Sequence, residues 1–83
     1  KISSPVYEKV CQRLLEIEDY ENCRKWCTRA REQYPAVLSG YTCQLKLFFS
    51  CGDRENFFQV MQELKESDIT IDNETLELIR IFM

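Results

Sequence analysis

Histidine is absent from this chain, and glycine and proline occur only twice each. Without an imidazole no side chain has an ordinary pKa near neutrality to act as a general base, and a Cys2His2 zinc pattern cannot form. Two isolated glycines, Gly40 and Gly52, cannot build a glycine-rich phosphate loop. The carboxylates are scattered along what read as exposed helix faces, so no catalytic set emerges; an enzyme is not expected and no cofactor is implied. No run approaches the roughly 20 apolar residues that span a bilayer, so no membrane role is expected. Positive charge is not in excess either, since 14 acidic residues against 11 basic ones leave a net charge of -3. General attraction to phosphate backbones is therefore missing and nucleic acid is disfavoured, although Arg24, Lys25, Arg29 and Arg31 crowd one helix.

What the chain does have is cysteine: Cys11, Cys23, Cys27, Cys43 and Cys51. A secreted disulfide framework usually pairs an even set, so an odd count points to a reducing intracellular compartment, cytoplasmic or nuclear. Cys23 and Cys27 fall four apart on one helix face, with Cys11 expected across from them. A structural zinc site wants four ligands, usually with a tight C-x2-C pair or histidines, and neither is present. The expected role is that of small hydrophobes where helices approach closely, with no metal site; a metal or a Cys11 to Cys23 disulfide is the rival reading.

The apolar residues recur at three and four, the spacing of helices with one buried stripe. Ser4 reads as a cap with Pro5 at the first helical position, opening a helix that carries Tyr7, Val10, Cys11, Leu14 and Leu15 to about residue 17. Asp19 caps a second helix that runs from about residue 20 through Cys23, Trp26, Cys27 and Ala30, and Pro35 stops it. Trp26 is expected to be the plate on which the third helix packs. A third helix spans Val37 to Ser50, Gly52 makes the turn, and Asp53 caps a fourth holding Phe57, Val60, Met61 and Leu64. Ser67 to Ile71 reads as a loop, because three alternating residues with no pairing partner do not make a strand. A last helix begins near Asp72 or Asn73 and has too many apolar residues for one stripe, so it is expected to be buried on most sides. Asn73, Glu74 and Thr75 form a glycosylation sequon, read here as a helix cap instead.

Tyr7, Asp19 and Asn22 return as Tyr41, Asp53 and Asn56, an offset of 34 that marks stacked helical hairpins. Together with Cys23, Ala30 and Pro35 in the first unit and Gly52 in the second, these residues resemble the tetratricopeptide repeat superfamily. The second unit departs from the family by placing Phe57 and Leu64 where small residues are favoured. The resemblance implies an all-α fold of about five helices, antiparallel hairpins stacked as a short right-handed α-solenoid. Its parts would be a hairpin over 5–35, a second over 37–66 and a terminal helix over 73–83. Lys1 in first place and the apolar run from Ile79 to Met83 lead us to expect a piece of a longer protein. The stretch from Val60 to Leu78 also resembles a pentatricopeptide repeat, a related family that binds single-stranded RNA, although Asp68 and Ile71 stand where that family has glycine and proline.

In the tetratricopeptide family the first helices line a concave groove. The resemblance thus implies ligand-facing positions at Glu8, Gln12, Leu15 and Glu16 of the first helix and Thr42, Cys43, Lys46 and Phe49 of the third. Leu15 and Phe49 would be the apolar anchors, or else complete the core. A clamp for a terminal carboxylate is not expected, because Glu8 would repel it. The expected function is a scaffold segment that binds a partner helix or peptide in a multiprotein complex. RNA binding by a pentatricopeptide-like array and self-association through the terminal helix are the alternatives.

Overall fold

A computed structural model describes residues 2–82. It contains five helices: α1 (Ser4–Glu16), α2 (Tyr20–Gln33), α3 (Leu38–Cys51), α4 (Arg54–Glu66) and α5 (Asn73–Phe82). No strand occurs among the described residues, and Ser67 to Ile71 is loop. Met83, expected in the last helix, lies outside the described residues.

The two tight turns are built from the same local chemistry. After α1, Asp19 N–H donates to Leu14 O at 2.9 Å and Glu18 N–H to Leu15 O at 3.1 Å. After α3, Asp53 N–H donates to Phe48 O at 2.9 Å and Gly52 N–H to Phe49 O at 3.2 Å. This pair of bonds satisfies helix-end carbonyls around one residue in left-handed conformation, here Glu18 at φ 60° and Gly52 at φ 71°. The aspartate that follows then caps the next helix. Asp19 Oδ1 accepts from Asn22 N–H at 3.3 Å, and Asp53 Oδ1 from Asn56 N–H at 3.1 Å. Each asparagine side chain bonds back to the second carboxylate oxygen, at 2.7 and 2.6 Å. Turns this short send α2 back along α1 and α4 back along α3.

Helix α1 departs from expectation at its start. Its cap is Ser3, whose carbonyl accepts from Val6 and Tyr7 N–H, while its side chain makes no capping bond. Ser4 instead faces sideways, its Oγ 2.8 Å from Ser39 Oγ at the start of α3. Asp72 caps α5, with Oδ1 accepting from Thr75 N–H at 2.8 Å.

Helix α3 is central and packs against each of the other four. One close approach is made possible by Gly40, where an added Cβ would stand 2.8 Å from Arg31 Cγ and 3.1 Å from Arg31 N. The core runs through Tyr7, Cys11, Cys23 and Cys27 to Leu45, Leu47, Phe57, Val60, Met61 and Leu64. Positions 34 apart are buried alike: Cys11 with Leu45, Cys23 with Phe57, Cys27 with Met61, Ala30 with Leu64. The first hairpin fills them with small side chains and the second with large ones, each fully buried Leu, Met or Phe contributing roughly 1.5–3 kcal/mol.

Trp26 meets the ring of Tyr7 edge-on at 5.7 Å and packs against the core cluster. One expectation is corrected here. Helix α5 is not buried on most sides. Thr75, Leu78, Ile79 and Phe82 face the core, whereas Leu76 and Ile81 are 49% and 64% exposed. The core-facing residues form one stripe, and Leu76 and Ile81 flank it on either side.

Candidate functional site

Helices α1 and α3 flank a groove of about 490 Å³ whose end is closed by the start of α5. Glu8, Gln12, Leu15 and Glu16 form one wall, one or two per turn along α1. Thr42, Cys43 and Lys46 form the other. Seven of the eight residues named from the sequence thus line one cavity. The eighth, Phe49, does not: its ring stands edge-on to Phe82 at 5.1 Å and supports the last turn of α5.

Five lining residues were not anticipated at the site: Lys9, Cys11, Arg13, Ser39 and Glu74. Lys9 and Arg13 neighbour wall residues on α1, and Glu74 comes from α5 through an ion pair with Lys46 at 3.0 Å. Thr42 Oγ1 lies 3.0 Å from Thr75 Oγ1, which pins α5 beside α3 and holds Glu74 at the groove. Arg13 pairs with Glu16 at 3.4 Å. Glu8 forms no ion pair among the described residues, so the wall of α1 offers a carboxylate beside the apolar Leu15 and the amide of Gln12.

The floor of the groove reaches Cys11 and Cys43. Behind it, Cys11, Cys23 and Cys27 are fully buried with their sulfurs within 4.8 Å of one another. Cys27 Sγ lies 3.5 Å from Cys11 Sγ and 3.8 Å from Cys23 Sγ. Cys23 Sγ also faces the carbonyl of Cys11 at 3.7 Å. Cys43 joins from α3: hydrogen bonding with the Cys11 and Cys27 thiols holds its pKa below the ordinary thiol value, and Lys46 lowers it further. The Cys27 thiol is pushed up, first by its hydrogen bond to Cys11 and also by burial. All five cysteines are free, including the exposed Cys51.

The cations of α2 are dispersed and engaged. Arg31 donates to Glu63 at 2.8 Å and to Gln44 at 2.9 Å, with its guanidinium 4.1 Å from the Tyr41 ring centre. Arg24 stacks on Phe48 and Arg29 on Trp26, and Lys25 sits 4.0 Å from Glu21. In the sequon, Thr75 is fully buried and bonded to Thr42, so its hydroxyl is withdrawn from the surface. No helix among the described residues is long and apolar enough to cross a membrane.

No family model, curated protein or solved structure matches this chain.

Proposed function

We propose that this chain is a tetratricopeptide-like scaffold segment that binds a helix or peptide of another protein in the groove between α1 and α3. The observation that carries this reading is the convergence of Glu8, Gln12, Leu15, Glu16, Thr42, Cys43 and Lys46 on one cavity. Leu15 is the apolar anchor, and the carboxylate of Glu8 selects a partner with a basic residue in register. Stacking of α1, α3 and α5 as successive first helices, with the shared turn geometry, supports the solenoid arrangement. The function is binding and not catalysis, and five free thiols fit a reducing compartment, cytoplasmic or nuclear. A photo-crosslinking residue in place of Gln12 should capture a discrete partner in cells, and one in place of Glu55 on α4 should not. Equal capture from both positions, or loss of none of it on Leu15→Glu, would refute the groove.

Self-association through α5 is the second reading, favoured by the exposed Leu76 and Ile81. RNA binding has less support, because Arg31 is committed to Glu63 and the remaining cations of α2 do not converge.

A further inference from the structure

The first hairpin places thiols where the second places leucine, phenylalanine and methionine, and it gathers them instead of distributing them. Cys11 comes from α1, Cys23 and Cys27 from α2, and Cys43 from α3, so three helices supply four sulfurs to one region. The two contacts of Cys27, 3.5 and 3.8 Å between sulfurs, can be set against a tetrahedral thiolate site. Four sulfurs about 2.3 Å from a zinc ion stand about 3.8 Å from one another, so the spacing at Cys27 already matches an edge of that tetrahedron. Van der Waals contact alone would explain one such pair. It does not explain three mutually close buried sulfurs, with Cys43 lining the groove floor beside Cys11.

We propose that Cys11, Cys23 and Cys27, with Cys43 of the groove floor as fourth ligand, form a structural binding site for Zn2+. Binding exchanges four S–H protons for one divalent ion and leaves a dianionic tetrathiolate, so affinity falls as pH drops. The groove floor at Cys11 and Cys43 provides the entry path. Lys46, Lys9 and Arg13, which line the same groove as Cys11 and Cys43, offset the negative complex. The absence of a C-x2-C pair does not exclude the site: residues four apart on a helix lie on one face, and Cys23 and Cys27 present their sulfurs side by side there.

The test is anaerobic titration of the reduced full chain with Co2+, in a Cys51→Ser background that removes the exposed thiol. One equivalent should produce thiolate-to-metal charge-transfer absorption and the intense d–d bands of tetrahedral cobalt, and Zn2+ should displace both. Zinc should also raise the melting temperature. Cys43→Ala should weaken Co2+ binding more than about 100-fold while circular dichroism stays helical, and Cys27→Ala should remove the bands. Absence of the bands in the parent chain would overturn the site even if a variant failed to fold. So would bands that survive Cys27→Ala, or a melting temperature indifferent to zinc.

Discussion

Glu18 and Gly52 occupy the same place in their respective turns, both in left-handed conformation, at φ 60° and 71°. Each follows the last turn of a helix, precedes a capping aspartate, and donates its N–H to the carbonyl of the third residue before it. The same backbone shape is thus imposed on a residue that adopts it at little cost and on one that does not.

The difference gives a pair of opposed predictions. Glu18→Gly should stabilise the fold by about 1 kcal/mol, because left-handed backbone costs a non-glycine residue of order 1 kcal/mol or more and that strain would be relieved. Gly52→Ala should destabilise by a similar amount; no atom lies within 4 Å of the added Cβ, so the loss would be conformational and not steric. Urea denaturation of both variants checks the signs. If the two substitutions move stability in the same direction, the turns are not equivalent in energy.

Gly40 lends itself to a test in which two effects compete. Replacing a helical glycine with alanine ordinarily gains up to about 1 kcal/mol from propensity. Here the new Cβ would press against Arg31 N at 3.1 Å and Cα at 3.2 Å, backbone atoms that cannot swing aside. Overpacking typically costs about 1–3 kcal/mol, so Gly40→Ala should be net destabilising, with α2 and α3 forced apart. A stabilised Gly40→Ala protein would contradict the close approach of these helices.

The parts of the structure that could be read from the sequence are those determined within a few residues. Asp19 and Asp53 were identifiable as caps because the N–H they accept from lies three residues on. Gly52 was identifiable because glycine alone takes its conformation freely, and for the same reason Glu18 gave no signal. The groove walls were expected from the resemblance to the tetratricopeptide family, which assigns the groove to the first helix of each hairpin. What could not be read depended on where distant elements come to rest. Phe49 and Leu15 look alike as apolar residues at a stripe edge, and only the arrival of Phe82 draws Phe49 away from the groove. Glu74 joins the site because α5 lies beside α3. Thr75 is fully buried although its hydroxyl makes it look like a surface residue; Thr42 supplies the partner that permits this.

Acid should weaken the fold through three named carboxylates. Asp53 is held below its ordinary pKa first by the Asn56 side chain, Asp72 by Thr75, and Glu63 by Arg31. A group whose folded pKa is depressed adds stability above its unfolded value and loses that contribution as pH falls through the folded one. Unfolding free energy should therefore be nearly flat from neutrality to about pH 5 and decline below about pH 4, where unfolded carboxylates take up protons. Asp72→Asn keeps an oxygen acceptor for the cap but removes the titration, so its profile should fall less steeply. Asp72→Ala should cost about 1 kcal/mol at neutral pH by loss of the cap. Parallel acid profiles for wild type and Asp72→Asn would exclude this aspartate as a source of the decline.

The outer face of α5 makes a prediction about assembly. Leu76 and Ile81 are exposed, and Leu78 and Ile81 help line a hollow of about 290 Å³ between α3 and α5. Lys46, Glu74 and Glu77 surround it, giving an apolar centre with a charged rim, the arrangement of a contact surface. Leaving that surface in water forgoes roughly 25 cal/mol for each Å² of apolar area that a second copy could cover. The chain should therefore show concentration-dependent association by sedimentation, and Ile81→Glu should return it to a monomer without loss of helix. Because Ile81 projects away from the core, this substitution leaves Phe57, Phe82 and the α3 packing intact. A wild-type chain that sediments as a monomer at millimolar concentration would mean that the face is not an interface between copies.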